Sequence, residues 1–259
     1  MPEWRDEALI LSVRPYAEHD AVINVITLEH GRHASLVRGG QSSKFRGLLQ
    51  PGNKVDVFWR ARLQEHLGTM QVDMITPHAS VVLDDSLRLA GLSSVCAVME
   101  ACLPEREPAR PVYNATEAVI NMITADDLGD QWLGGYVRWE MGMLDIAGYG
   151  LGLEKCGVTG ATTGLEFVSP RTGVAVTRAG AGIHAARLLP LPRFLGGCGE
   201  KTLEEDLLAG MQLTGHFLER QVFGAHHQPL PSARQRLMAL AEKRLAPDDG
   251  QSKDLEKTE

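Results

Sequence analysis

The sequence predicts an α+β chain: a small closed β-barrel followed by a helical domain that carries a short inserted ribbon. Three observations predict it. Apolar residues alternate with period two up to about residue 76, helical spacing with capping residues begins after Pro77, and turn glycines with short extended segments interrupt the helices near 153–185.

In the barrel, "EALILSVRPY" (Glu7–Tyr16) is rich in strand formers and stops at Pro15. Ala21–Val37 reads as two strands joined through Glu29-His30-Gly31, where Gly31 can supply a positive φ. Asn53–Leu63 alternates cleanly, and His66–Ile75 follows after a short connection. Five strands with one longer loop, Gly39–Gly52, fit a five-stranded OB-fold barrel over residues 1–80; an SH3-like barrel fits the pattern nearly as well.

The helical domain is expected over 81–246. Asp84 or Asp85 caps a helix to about Cys102, broken by Pro104 and Pro108. A second carries Ala115, Val119, Met122 and Ile123, and a third runs from about Asp130 to "GYGLG". After the ribbon, Thr202 and Glu205 form a capping-box pattern opening a helix to about Phe223, and Ser232-x-x-Gln235 opens the last. The tail at 247–259 is polar and acidic, and is expected to be disordered.

Composition narrows the function. No apolar run reaches the ~18 residues of a membrane span, and the acidic start "MPEWRDEALIL" is unlike a secretory signal, so a cytoplasmic place with no membrane partner is expected. Cys96, Cys102, Cys156 and Cys198 are scattered without a Cys-x-x-Cys pair. "GGQSSKFRG" lacks the glycine before the lysine of a P-loop, and "GYGLG" follows a helix rather than a strand. His19, His30, His33, His66 and His78 crowd the barrel segment without ligand spacing. None of these patterns supports a catalytic residue or a cofactor, and none excludes an enzyme.

The formal charge is −7, yet between Arg32 and Arg62 seven basic residues face one acid, Asp56. Alternation over Asn53–Leu63 puts Val55, Val57, Trp59, Ala61 and Leu63 inside the barrel and Lys54, Asp56, Phe58, Arg60 and Arg62 outside. An aromatic among cations suits single-stranded nucleic acid, because bases stack on the ring while Lys and Arg meet phosphates. Lys44, Phe45 and Arg46 add to this from a Gly/Ser-rich loop expected to be flexible. The competing reading is a solvated charged face with Phe58 covered by the helical domain.

The segment "VRGGQSSKFRGLLQPGNKVDVFWRARLQEHLGTM" resembles the RecO family of recombination mediators. The likeness continues through "YVRWEMGMLDIAGYGLGLEKCGVTG", "FVSPRTGVAV" and "LLPLPRFL". It implies a non-enzymatic protein of DNA repair and recombination that binds single- and double-stranded DNA and anneals complementary strands. The implied protein partners are RecR, the acidic C-terminal tail of single-stranded-DNA-binding protein and, indirectly, RecF and RecA. The nucleic-acid-binding candidates are then Arg32, Arg38, Lys44, Arg46, Phe58, Arg60 and Arg62. Arg138, Arg187, Arg234 and Arg236 are available to rim a pocket for the partner tail. A helical adaptor that binds DNA weakly is the alternative.

The resemblance also bears on the ribbon. Some RecO-like proteins hold a zinc ion on four cysteines there, whereas this chain has Cys156, Thr159 in the next ligand position and no cysteine in "FVSPRTGVAVTRAGAGIH". One Cys with His184 as its sole nearby companion cannot close a structural zinc site. A zinc-free ribbon held by Leu165, Phe167 and Val176 is expected.

Overall fold

The computed structural model describes residues 1–246; the expected disorder at 247–259 concerns residues outside that range. Strands β1 (Glu3–Tyr16), β2 (Asp20–Thr27), β3 (Gly31–Val37), β4 (Lys54–Arg60) and β5 (Thr69–Thr76) close into a barrel in the order β1-β2-β3-β5-β4. Neighbours are antiparallel except β3 and β5, which meet in parallel at Leu36 and Thr69. This is the OB strand order, and it decides between the two barrels the pattern allowed.

Side-chain parity builds two cores from one strand. In β1, Ala8 and Ile10 point into the barrel with Ile23, Val25, Val55, Val57 and Trp59. Leu9 and Leu11 point outward and, with Ile26, join the core of the helical part. The unbroken run Ala8–Leu11 is therefore apolar because both faces of the strand are buried. The parity expected for β4 holds for Val55, Val57, Trp59 and Ala61, but the strand ends at Arg60 and Leu63 stands 48% exposed in the turn beyond.

Beyond the barrel, a single turn α1 (His78–Val81) leads to α2 (Ser86–Cys102), whose Asp85 cap accepts from the Leu87 and Arg88 amides. Next come α3 (Arg110–Thr124), with Pro111 in its first turn, and α4 (Trp132–Ile146). The ribbon contains β6 (Leu165–Val168) and β7 (Ala175–Thr177), joined by β8 (Leu189–Pro190) in the order β7-β6-β8. A one-turn α5 (Arg178–Ala181) follows β7. Helix α6 (Leu203–Phe217) opens with the expected capping box of Thr202 and Glu205. The last helix, α7 (Ser232–Leu245), opens at Ser232 and ends at Leu245 as expected, with the Pro231 carbonyl accepting from Arg234 and Gln235. Within this core Arg234, 1% exposed, forks onto Glu140 at 2.6 and 3.0 Å, so its guanidinium is already paired where it borders a pocket with Gly215 and Gln235.

Helix α2 lies on the outer face of β1, and its Glu100 ties the barrel down. One carboxylate oxygen accepts from Ser12 Oγ at 2.7 Å, Asn24 Nδ2 at 2.9 Å and Arg14 Nη2 at 3.0 Å. At the other end of the contact Gly52, with φ of 89°, lies so close to Leu92 that a Cβ would meet its Cδ1 at 2.4 Å. Glu100→Ala is expected to destabilise the chain by about 1–3 kcal/mol in denaturant unfolding, because the Ser12 and Asn24 donors lose a partly buried acceptor. A loss below about 0.5 kcal/mol would assign the contact to apolar packing alone.

Candidate nucleic-acid interface

The seven basic residues between Arg32 and Arg62 divide into two groups. Arg32 faces the helical part: its Nε donates to the Leu103 carbonyl at 2.8 Å and its Nη1 lies 3.4 Å from Glu105. Its side chain is 14% exposed, so Arg32 leaves the set of DNA-contact candidates. Lys54 is clamped between Glu7 at 2.8 Å and Glu117 on α3 at 2.5 Å. Burial would depress its ammonium, but the bonds to Glu117 and Glu7 push the pKa above the ordinary lysine value. Arg38, Lys44, Arg46, Arg60 and Arg62 are exposed, and none makes a salt bridge among the described residues.

Three of these five converge. A groove of about 320 Å³ runs over β3, β5 and β4, lined by Arg38, Lys44, Phe45, Phe58 and Arg60, with Asp73 as its acid. Phe58 is half-buried on the groove wall, across from Gln71 on β5, and the lining comes entirely from the barrel segment. The reading in which the helical domain covers Phe58 is therefore set aside. Lys44 Nζ sits 5.7 Å from the Phe45 ring centre, in range of a cation–π contact. Arg46 and Arg62 do not line the groove: one follows the turn at Ser43–Phe45, the other follows the end of β4.

The loop that delivers Lys44 is pinned rather than flexible, contrary to the expectation from its Gly/Ser content. Gln41 Nε2 donates to the carbonyls of Ala17 and Asp20 at 3.1 and 2.8 Å, and the Gly39 amide donates to Asp20 Oδ1. Asn53 Nδ2 holds the carbonyls of Gly47 and Leu48, each at 3.0 Å, and Leu49 closes the barrel end at 5% exposure. Fixing the loop in advance lowers the entropy lost when a ligand binds to Lys44 and Phe45.

In the ribbon, Leu165 and Val176 pack with Leu144, Leu213 and Phe217 as expected, with Phe167 partly buried beside them. Its two turns bring four positions together. Cys156 Sγ accepts from the Thr159 and Thr177 amides, each at 3.3 Å, and lies 3.6 Å from Thr177 Oγ1. A Cβ on Gly180 would stand 3.2 Å from that sulfur. Burial raises the Cys156 pKa, and the hydrogen bonds from Thr159 and Thr177 outweigh it, bringing the thiol down to about 6. Positions 156, 159, 177 and 180 have the disposition of two zinc knuckles, but two threonines and a glycine do not ligate zinc. Thr177 and Gly180 give no sign of this in the sequence, because neither is a ligand type; His184 lies apart on an exposed turn. Among the described residues no group of three or more His, Cys, Asp or Glu is placed to hold a metal ion. The variant Thr159→Cys/Thr177→Cys/Gly180→Cys is expected to take up about one zinc per chain by a chelator-dye assay. The same stoichiometry in the unsubstituted chain, or none in the variant, would contradict this geometry.

Residues 1–78 match the family described as Recombination protein O N terminal, and residues 83–229 match Recombination protein O C terminal. The DNA repair protein RecO of Cereibacter sphaeroides is 46% identical over 241 residues, 93% of this chain and 98% of that protein. That of Rhodospirillum centenum is 45% identical over 238 residues, 91% and 93% of the two chains. That of Ruegeria sp. is 41% identical over 244 residues, 94% and 100%. With an OB barrel, a helical part and both halves of the family matched, this chain belongs to the RecO family of DNA repair proteins.

Proposed function

We propose that this chain is a non-enzymatic recombination mediator that holds DNA in the barrel groove. The observation that carries the reading is the convergence of Arg38, Lys44 and Arg60 with Phe45 and Phe58 in one pinned groove. The cations neutralise phosphates and release counterions, while the rings offer stacking faces to unpaired bases. A shallow groove with few aromatics leaves most base edges open, which annealing of complementary strands requires. Through its family the chain is further proposed to act with RecR and RecF, and with the tail of single-stranded-DNA-binding protein, in loading RecA onto coated gaps. For the tail pocket, Arg138 is held by the Phe194 carbonyl at 2.9 Å, while Arg187 and Arg236 are exposed.

A second reading, the helical adaptor, draws on exposed apolar side chains between residues 74 and 83. Met74, Ile75, Val81 and Leu83 stand 37–66% exposed where β5 passes into the helices, a composition suited to a protein partner.

The discriminating experiment is anisotropy of a labelled single-stranded oligonucleotide against salt. For Arg38→Ala/Arg60→Ala, the slope of log affinity on log salt is expected to flatten by about 0.7 per cation removed. An unchanged slope would remove the DNA from this groove, and absence of wild-type binding at moderate salt would favour the adaptor.

A further inference from the structure

At the end of the barrel beside the groove lies a second cavity, of about 420 Å³, lined by Trp4, His30, His33, Trp59, Gln64 and Arg106 among others. Its rings are ordered. Trp59 and Trp4 stack with centroids 5.5 Å apart, and His30 continues the stack on Trp4 at 4.1 Å and 9°. His30 is fixed by Asp6, 3.0 Å from its Nδ1, and its side chain is about a third exposed. His33 meets Trp4 and Trp59 edge-on at 5.1 and 4.9 Å.

His33 is the unusual member. It is 4% exposed, and neither ring nitrogen has a hydrogen-bond partner. Burial first, then the charges of Arg106 and His30, lower its pKa to about 4, so the ring is neutral at physiological pH. A neutral imidazole offers one donor and one acceptor. Leaving buried polar atoms unsatisfied is unfavourable, and the His33 ring borders the cavity, so a ligand seated there is placed to supply one of the missing partners.

Arg106 and Glu29 are already engaged, while the Glu3 carboxylate at the cavity makes no salt bridge among the described residues. Arg106 donates to the carbonyls of Gln64, Glu65 and His66, and Glu29 pairs with Arg110. Arg106 keeps its charge but directs its donors to those carbonyls, and with Glu3 at the rim the lining does not favour an anionic ligand. The position points to the source of the ligand. Arg60 of the groove is directly followed in space by Glu3 of the cavity, its partner in the β1–β4 register, and Trp59 precedes it in the chain.

We infer that this cavity receives a single nucleobase of the strand held in the groove, stacked on the Trp59–Trp4–His30 column and hydrogen-bonded by His33. Arg60 retains the adjoining phosphate, and Glu3 repels it from the cavity mouth. The inference rests on the groove reading and adds to it a base-binding position that the charge pattern does not contain.

The test compares a thymidine oligonucleotide carrying one 2-aminopurine with the same backbone made of abasic residues. Wild type is expected to bind the base-bearing strand about 5-fold or more tighter, with quenching of the 2-aminopurine. His33→Phe keeps the ring packing without the nitrogens, and Trp4→Leu shortens the column. Each is expected to reduce the preference about 3- to 10-fold while the salt slope stays unchanged. The second variant keeps the test decisive if the first fails to fold. Equal affinity for the two strands, with salt-sensitive binding intact, would overturn the base pocket alone. A base preference that survives in both variants would place the stacking elsewhere, at Phe58 or Phe45, and also overturn it. Absence of any salt-sensitive binding would overturn the groove reading and this one together.

Discussion

The packing of α2 across the outer face of β1 decides which of the barrel's cations remain free. Leu9, Leu11 and Ile26 leave the barrel surface for the helical core, and the polar groups around them follow. Arg32 is drawn to the Leu103 carbonyl, Lys54 to Glu117, and Arg14 to Glu100. Cations on that side are thereby matched by acids and carbonyls of the helices. In the groove the helices supply no acid, Asp73 of β5 is the one carboxylate of the lining, and Arg38, Lys44 and Arg60 make no salt bridge among the described residues. An overall charge of −7 is compatible with a local excess of cations because the two sides are sorted in this way.

The same docking places the aromatic residues. Trp59 is barrel core, with its Nε1 donating to the Leu67 carbonyl at 3.0 Å, and Phe58, one residue earlier on the opposite face, lines the groove. Arg106, after the end of α2, reaches back to three carbonyls of the β4–β5 loop and fixes its course beside Trp59. Gly31, with φ of 68°, lies under this crossing: a Cβ there would fall 2.2 Å from the Glu107 carbonyl oxygen. The helical part thus shapes the barrel's end as well as its charge.

Much of this was legible in the sequence because it is local. Period-two alternation identified the strands and put Trp59 inside, the Asp84–Asp85 and Thr202–Glu205 pairs marked helix starts, and the cation window pointed to the groove's residues. What was hidden depends on distant partners. Arg32 looks like any other cation until Leu103, far along the chain, is brought to it. Ala8–Leu11 gives no sign of which face meets a helix. Trp4 precedes the segment read as the first strand, so its stack with His30 was invisible. The loop at Gly39–Gly52 looked mobile because composition does not reveal that Gln41 and Asn53 are its anchors.

The most direct test of this sorting is the salt dependence of single-stranded oligonucleotide binding by Arg32→Met/Lys54→Met, measured where the variant remains folded. If the docked cations serve the helices, the slope of log affinity on log salt matches that of the unsubstituted chain, although two basic residues are gone from the same sequence window. A slope flattened by about 0.7 per residue removed would mean that these cations meet phosphates too, and would contradict the division of the barrel into an engaged side and a free one.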